Sequence, residues 1–470
     1  MKSFDLIVIG AGAGLNVAAA CAEAGLKVAI IEEGPLGGTC LNRGCIPSKM
    51  LIHSADVASE IKKAYLFGLQ AALQGVDFAK VTQRANYKVD AEARSIETSL
   101  QHGKNPLLLK GKGKFIAPYT VEVTGKDKKK QQIFGKKILI AAGARPSIPS
   151  IEGLKNVSYL TSTEALRQTH LPKSMIIIGG GYIAAELGHF YGSLGCRITI
   201  LQRNKLLLPR EDTEVAQKFT ALWKKKYTVE VNAEVKKVEK RSNEITVIFS
   251  VHGKEKKVTA EKLLLATGVT PNSDTLDLPK TGVKVNDHGF VTINKFLETT
   301  AKNIWALGDI AGVYLFRHSA NREAEYAINN LFGKNILEKN KNPPQRRAVD
   351  YYPMPHAVFT DPQIAGVGLT EQECAEKKLK YRVGRYAYKN TAMGKAMEEN
   401  DGFVKFIVDG RTKEILGCHI LGSDASVLLH EICVAMKADR KRALEILQNT
   451  VHVHPALNEV VQRAAIDVNV

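Results

Sequence analysis

Tryptophan, cysteine and long apolar runs are all scarce in this 470-residue chain, which carries only 2 Trp and 7 Cys. No apolar stretch approaches the roughly 18 residues that a bilayer-spanning helix needs. The first one, Leu6 to Ile9, is cut by Gly10. Neither a membrane span nor a signal peptide is expected, and a cytoplasmic location is. An odd number of thinly spread cysteines excludes the disulfide framework of a small secreted domain. A close cysteine pair in such a chain reads as catalytic. Acidic residues are short as well: 48 Asp and Glu against 66 Lys and Arg leave a formal charge of +18. That balance suits anionic ligands or nucleic acid. The lysines, however, fall in short scattered runs (Lys128 to Lys130, Lys224 to Lys226, Lys256 and Lys257) with no interleaved aromatics. A solvated basic surface and no nucleic-acid partner are expected.

At this length, and with 44% hydrophobic residues, the chain should form several domains. Two stretches predict dinucleotide-binding folds. In the first, an apolar strand from Asp5 to Ile9 runs into Gly10, Gly12 and Gly14 and an alanine-rich helix. A second strand, Lys27 to Ile31, ends at Glu32, the spacing expected of an acid that bonds a ribose hydroxyl. Glycine lets the backbone approach a pyrophosphate, and the helix N-terminus offers unpaired N–H groups. Leu15 departs from the pattern, because a small residue there usually allows helix and strand to pack closely.

The second copy, IIIGGGYIAAE from Ile176, fills all three small positions with Gly179, Gly181 and Ala184. Its second strand, Arg197 to Leu201, ends in Gln202-Arg203-Asn204-Lys205 instead of an acid, with Arg210 beyond. A carboxylate would repel a 2′-phosphate and arginine would pair with one, so NADPH is favoured over NADH.

Between the two folds lies GGTCLNRGCIPSK, Gly37 to Lys49. The spacing of Cys40 and Cys45 fits neither a zinc knuckle nor a thioredoxin motif, and no metal site is expected. Pro47 suits a first helical turn, which places Cys45 at a helix N-terminus with Lys49 one turn on. Both would favour a thiolate. Cys40 is expected in the preceding loop, free to attack a disulfide. The other cysteines, Cys21, Cys196, Cys374, Cys418 and Cys433, read as small core residues.

This motif resembles the active-site signature of the class I pyridine nucleotide-disulfide oxidoreductases, whose members include dihydrolipoamide dehydrogenase and the mycothione, glutathione and mercuric reductases. LIAAGARP, LLLATGVTPN, NIWALGD, AVFTDPQIAGVGLTE and HPALNE extend the resemblance along the chain. It implies an α/β architecture: two Rossmann-like domains binding FAD and NAD(P), and an α+β C-terminal dimerisation domain. The implied boundaries are 1–149 for FAD, 150–274 for NAD(P), 275–344 for a central domain completing the FAD site, and 345–470 for the interface. The proline-bearing stretch from Asn342 to Pro355 independently reads as a linker, and Phe403 to Val408 and Ile415 to Leu421 as adjacent antiparallel strands.

By the same resemblance Asp309 meets the flavin ribityl chain, Glu32 the adenosine ribose and Gly113 the adenine end. Gly143 and Gly268 belong to the two glycine-bearing motifs that follow their sheets. Lys49 and Glu186 pair near the flavin, Tyr182 covers the nicotinamide pocket, and His454 with Glu459 forms an acid-base dyad given to the other subunit of a homodimer. His452 is the competing histidine. The implied activity is electron exchange between nicotinamide, FAD, the Cys40/Cys45 disulfide and a small dithiol or disulfide, in the service of cell redox homeostasis. The leading expectation is a dihydrolipoamide dehydrogenase-like exchange; NADPH-dependent reduction of a low-molecular-weight disulfide, of the mycothione or glutathione reductase type, metal-ion reduction and a non-catalytic flavin sensor are the alternatives.

Overall fold

A computed structural model describes residues 1–332 and 346–468. The chain gathers into two compact units, each assembled from three separate segments.

The first unit comprises Met1–Ser48, Gln83–Ser147 and Val269–Tyr351. Its seven-stranded sheet has a parallel part in which Lys2–Ile9 lies between Val28–Glu32 and Lys130–Ile140. Leu107–Lys110 extends one side, and Ile304–Ala306 pairs with Lys130–Ile140. Lys112–Ala117 and Thr120–Thr124 complete it as antiparallel strands. Continuous apolar runs such as Leu6-Ile7-Val8 form these strands because both faces are covered, and all three residues are fully buried. Each contributes about 1.5–3 kcal/mol of transfer free energy.

The second unit comprises Lys49–Thr82, Ile148–Gly268 and Tyr352–Val470. It holds a second parallel sheet in which Ser174–Ile178 lies between Arg197–Gln202 and Lys262–Leu265, with Thr228–Val231 outermost. Three antiparallel strands from Ala233–Arg241 to Lys254–Ala260 form their own sheet. The C-terminal part is a five-stranded antiparallel sheet running in space from Pro355–Val358 to Tyr381–Ala387. Helices Ala425–Ala438, Ala443–Asn449 and Glu459–Ile466 share an apolar core with it. The expected strand pair is present as Phe403–Asp409 and Ile415–Gly422.

Of the expected linker, residues 342–345 and the proposed boundary at 344 lie outside the described residues. Residues 346–354 contain no helix or strand. Among the described residues no helix is long and apolar enough to cross a membrane.

Candidate active site

In the first fold the glycine turn packs tightly. Gly10 has a φ of +105°, and a Cβ there would lie 2.2 Å from the Ala141 carbonyl oxygen. A Cβ on Gly38, whose φ is +68°, would lie 2.7 Å from the Gly12 Cα, so the turn and the cysteine segment touch backbone to backbone. The close helix-to-strand approach expected at position 15 is made one residue earlier. A Cβ on Gly14 would meet Val8 Cγ1 at 2.7 Å, while Leu15 is half-buried against the neighbouring core. A large residue at 15 is therefore harmless, because Gly14 opens the helix.

Glu32 ends its strand with both oxygens held by backbone: Oε2 accepts from Ala11 N–H at 2.8 Å and Oε1 from Gly34 N–H at 2.7 Å. Gly113 lies on Lys112–Ala117 with Ile31 beside it, and Gly143 turns the chain after Lys130–Ile140. Asp309 sits in the short turn Gly308–Ile310. Burial pushes its carboxyl above the usual range, against the pull of the Arg317 guanidinium.

The second fold ends differently. Gly179 and Gly181 precede helix Tyr182–Ser193, which carries a fully buried Ala184, and Gly268 follows Lys262–Leu265 with a φ of +108°. Gln202 is buried at the strand end and donates from Nε2 to the Leu206 carbonyl at 3.2 Å. Arg203, Lys205 and Arg210 are exposed.

Cys45 opens helix Cys45–Lys63, as the sequence predicts. Cys40 corrects the expectation: it lies within a short helix, Gly38–Arg43, and not in a loop. The left-handed Gly37 starts that turn, and the Asn42 amide donates to the Leu36 and Gly38 carbonyls, closing it. Both cysteines are in the thiol form, Cys40 half-buried and Cys45 exposed. A hydrogen bond to Cys45, then burial, hold the Cys40 thiol far above its ordinary pKa, with Arg317 opposing. The remaining five cysteines are buried as expected.

Lys49 Nζ lies 2.6 Å and 2.7 Å from the two Glu186 oxygens and 4.5 Å from the Phe359 ring centroid. Glu186 also accepts from Phe359 N–H at 3.2 Å. The Lys49 ammonium is thus paired with a carboxylate.

At the C-terminus His454 is 72% exposed, with Nδ1 3.0 Å from Glu459 Oε1. The second Glu459 oxygen accepts from Ala456 N–H at 3.3 Å. The His454 hydrogen bond holds the Glu459 carboxyl below its usual range. With Nδ1–H given to that carboxylate, Nε2 is left to exchange protons. His452 is 3% exposed and turned inward between the Thr450 carbonyl and Glu431.

Sequence patterns gave no sign of Arg317, which joins the Cys40 and Asp309 environments, or of Glu211 and His356 around Tyr182. None of these belongs to a motif. Among the described residues no group of three or more His, Cys, Asp and Glu side chains could hold a metal ion.

Residues 4–325 match the pyridine nucleotide-disulphide oxidoreductase family, and residues 354–465 match that family's dimerisation domain. The chain is 34% identical over 468 residues to mycothione reductase of Mycobacterium tuberculosis, covering 99% of each. It is 34% identical over 465 residues to a dihydrolipoyl dehydrogenase of Bacillus subtilis, covering 98% of this chain and 95% of that one. The HOCl-induced flavoprotein disulfide reductase RclA from Escherichia coli superposes with a TM-score of 0.85 at 29% identity, covering 99% of this chain and 100% of that one. A paired glycine-turn fold, a close cysteine pair and a histidine-glutamate dyad thus stand on a chain similar end to end to flavin-dependent enzymes that act on disulfides, and the protein belongs to the pyridine nucleotide-disulphide oxidoreductase family.

Proposed function

We propose that the protein is an NADPH-preferring, FAD-dependent reductase of a low-molecular-weight disulfide, acting as a homodimer in the cytoplasm. The observation that carries the coenzyme preference is the end of Arg197–Gln202. Gln202 is folded inward by its bond to Leu206, and Arg203 and Arg210 stand exposed with no carboxylate at the strand end to repel a 2′-phosphate. Five further cysteines, all buried and free, support a reducing compartment. Exposed Val427, Val434, Val451 and Val453 on the dimerisation domain supply apolar surface for a second copy.

The first fold suits FAD. Backbone closes on backbone at Gly12 and Gly38, Glu32 is anchored where a ribose would lie, and Gly113 keeps the strand beside it free of side chain. Asp309 would take the ribityl chain. When bound, FAD supplies a two-electron carrier between nicotinamide and disulfide.

The chain's own residues perform the exchange. With the pair reduced, His454 of a second copy takes the Cys40 proton, a step that a thiol held this high requires. The Cys40 sulfur then attacks one substrate sulfur. The substrate S–S bond breaks, a mixed disulfide forms, and the leaving thiolate receives the proton from His454. Cys45, stabilised as thiolate by its helix end, attacks Cys40, releasing the second substrate sulfur and restoring the Cys40–Cys45 bond. Two electrons have passed to the substrate. Lys49 and Glu186 would neighbour the flavin, and Tyr182 would cover the nicotinamide position. The working division is 1–149, 150–274, 275–344 and 345–470. Oxidation of a dihydrolipoamide-type dithiol is the same path reversed, and the exposed His454 serves it equally as base.

Steady-state comparison of NADPH and NADH with lipoamide, glutathione disulfide, mycothione-type disulfides and Hg(II) tests this. A kcat/KM for NADPH about 10–100-fold above NADH, with a small disulfide the best acceptor, is expected. NADH superior by about tenfold or more would remove the role given to Arg203 and Arg210.

A further inference from the structure

Tyr182, the first residue of the helix after the second glycine turn, is held from two directions. Its hydroxyl donates to Glu211 Oε1 at 2.5 Å, and its ring lies nearly parallel to the His356 imidazole, 8° apart with centroids at 6.1 Å. Glu211 is fully buried, and its other oxygen is 2.9 Å from His356 Nε2. One carboxylate therefore links a tyrosine from the dinucleotide fold to a histidine from the C-terminal sheet.

That histidine does not stand alone. Straight across the five-stranded sheet, position by position, lie His356, Gly366, His419, Lys405 and Arg385. Gly366 supplies the room: a Cβ there would lie 2.6 Å from His356 Cε1 and 3.0 Å from His419 Nδ1. An acidic run at the start of helix Thr213–Lys226 matches this row in order. Glu211 meets His356, Asp212 meets Lys405 at 2.7 Å, and Glu214 meets Arg385 at 2.8 Å. Glu371 adds a second carboxylate 2.6 Å from Lys405. Lys405 is 1% exposed and Asp212 is fully buried, so this central pair is desolvated and each ion needs the other.

We propose that Glu211 and His356 are positioning residues that hold Tyr182 in its covering orientation, so that the coenzyme seats its nicotinamide only by breaking the Tyr182–Glu211 hydrogen bond. This rests on the reading of Tyr182 as the cover of the nicotinamide position. A hydrogen bond to a buried carboxylate favours the covered state by about tenfold. Apparent coenzyme affinity is reduced by the same factor, since only the uncovered fraction binds. Sheet pairing opposite Gly366 places His356, and Glu211 sits next to Asp212, which is bonded to the buried Lys405.

The test is equilibrium binding of NADP⁺ to the FAD-loaded dimer, alongside its FAD content. Tyr182→Phe removes only the hydroxyl and should tighten NADP⁺ binding by about tenfold. Glu211→Gln should act in the same direction, and the double variant should add little to either, as expected of one shared bond. FAD content should be unchanged in all three, a selectivity that general loosening of the fold would not produce. If Glu211→Gln fails to fold, Tyr182→Phe alone carries the test. Unchanged or weaker NADP⁺ binding in Tyr182→Phe overturns the clamp and leaves the reductase reading intact. A wild-type protein that binds neither NADP⁺ nor NAD⁺ overturns the coenzyme reading itself, and the clamp with it.

Discussion

The two dinucleotide folds share a plan and diverge where their second strands end. In the first, Glu32 projects a carboxylate pinned by two backbone N–H groups. In the second, Gln202 turns inward to a carbonyl and leaves Arg203 exposed. On the coenzyme reading proposed above, both glycine turns would receive a pyrophosphate, and the residue at the strand end would set what else is accepted. The folds also differ in how they are secured. The first closes on backbone contacts around Gly38, whereas the second is tied to the C-terminal sheet by Glu211 on His356, Asp212 on the buried Lys405 and Glu214 on Arg385.

The hardest way to break this contrast is to remove the centre of the ionic row. Lys405→Met leaves the buried Asp212 and the half-buried Glu371 without their partner and should cost about 3–5 kcal/mol, read as a lowered Tm with the FAD-side fold still holding flavin. Acid should do part of the same work. Burial alone would raise the Asp212 and Glu211 carboxyls, but their charged and hydrogen-bonded neighbours outweigh it and hold both below the usual range. Their stabilisation is therefore complete above the unfolded carboxylate pKa of about 4 and is lost as pH falls through the lower folded values. Wild-type stability should decline on that acid arm, and the arm should flatten in Lys405→Met; an unchanged arm would mean the row contributes nothing.

Next in size, Gln202→Glu combined with Arg203→Ala should move the NADPH to NADH ratio of kcat/KM about 100-fold toward NADH, by adding a repelling charge and removing a pairing one. FAD content should not change. Smallest, Glu32→Gln keeps the size of the side chain but weakens two charge-assisted acceptors, so retention of FAD through ultrafiltration should fall by about tenfold with NADP⁺ binding unaltered. Equal losses of both ligands would show that the two sites are not independently specified.

Much of this was legible in the sequence because it is local. A glycine turn between apolar strands and a helix start marked by Pro47 act over a few residues, and each lies where expected; the His454–Glu459 contact is implied by the family resemblance alone. Position 15 misled because the pattern is written for one glycine placement, while close packing needs only one absent Cβ, and Gly14 provides it. Cys40 was assigned to a loop because six residues flanked by glycine give no helical period to read, and the turn is fixed by the Asn42 side chain. The Tyr182–Glu211–His356 arrangement was invisible for another reason. His356 is 145 residues from Glu211, and only sheet register brings it there.

That register has a consequence for folding fidelity. The five aligned positions 356, 366, 419, 405 and 385 come from every strand of the C-terminal sheet. A one-residue slip of any strand would send its member to the opposite face, and for Lys405 that means an apolar core lined by Val404, Phe406 and Cys418. A slip of Phe403–Asp409 would thus strand the Lys405 charge in that core, a penalty that favours the observed register.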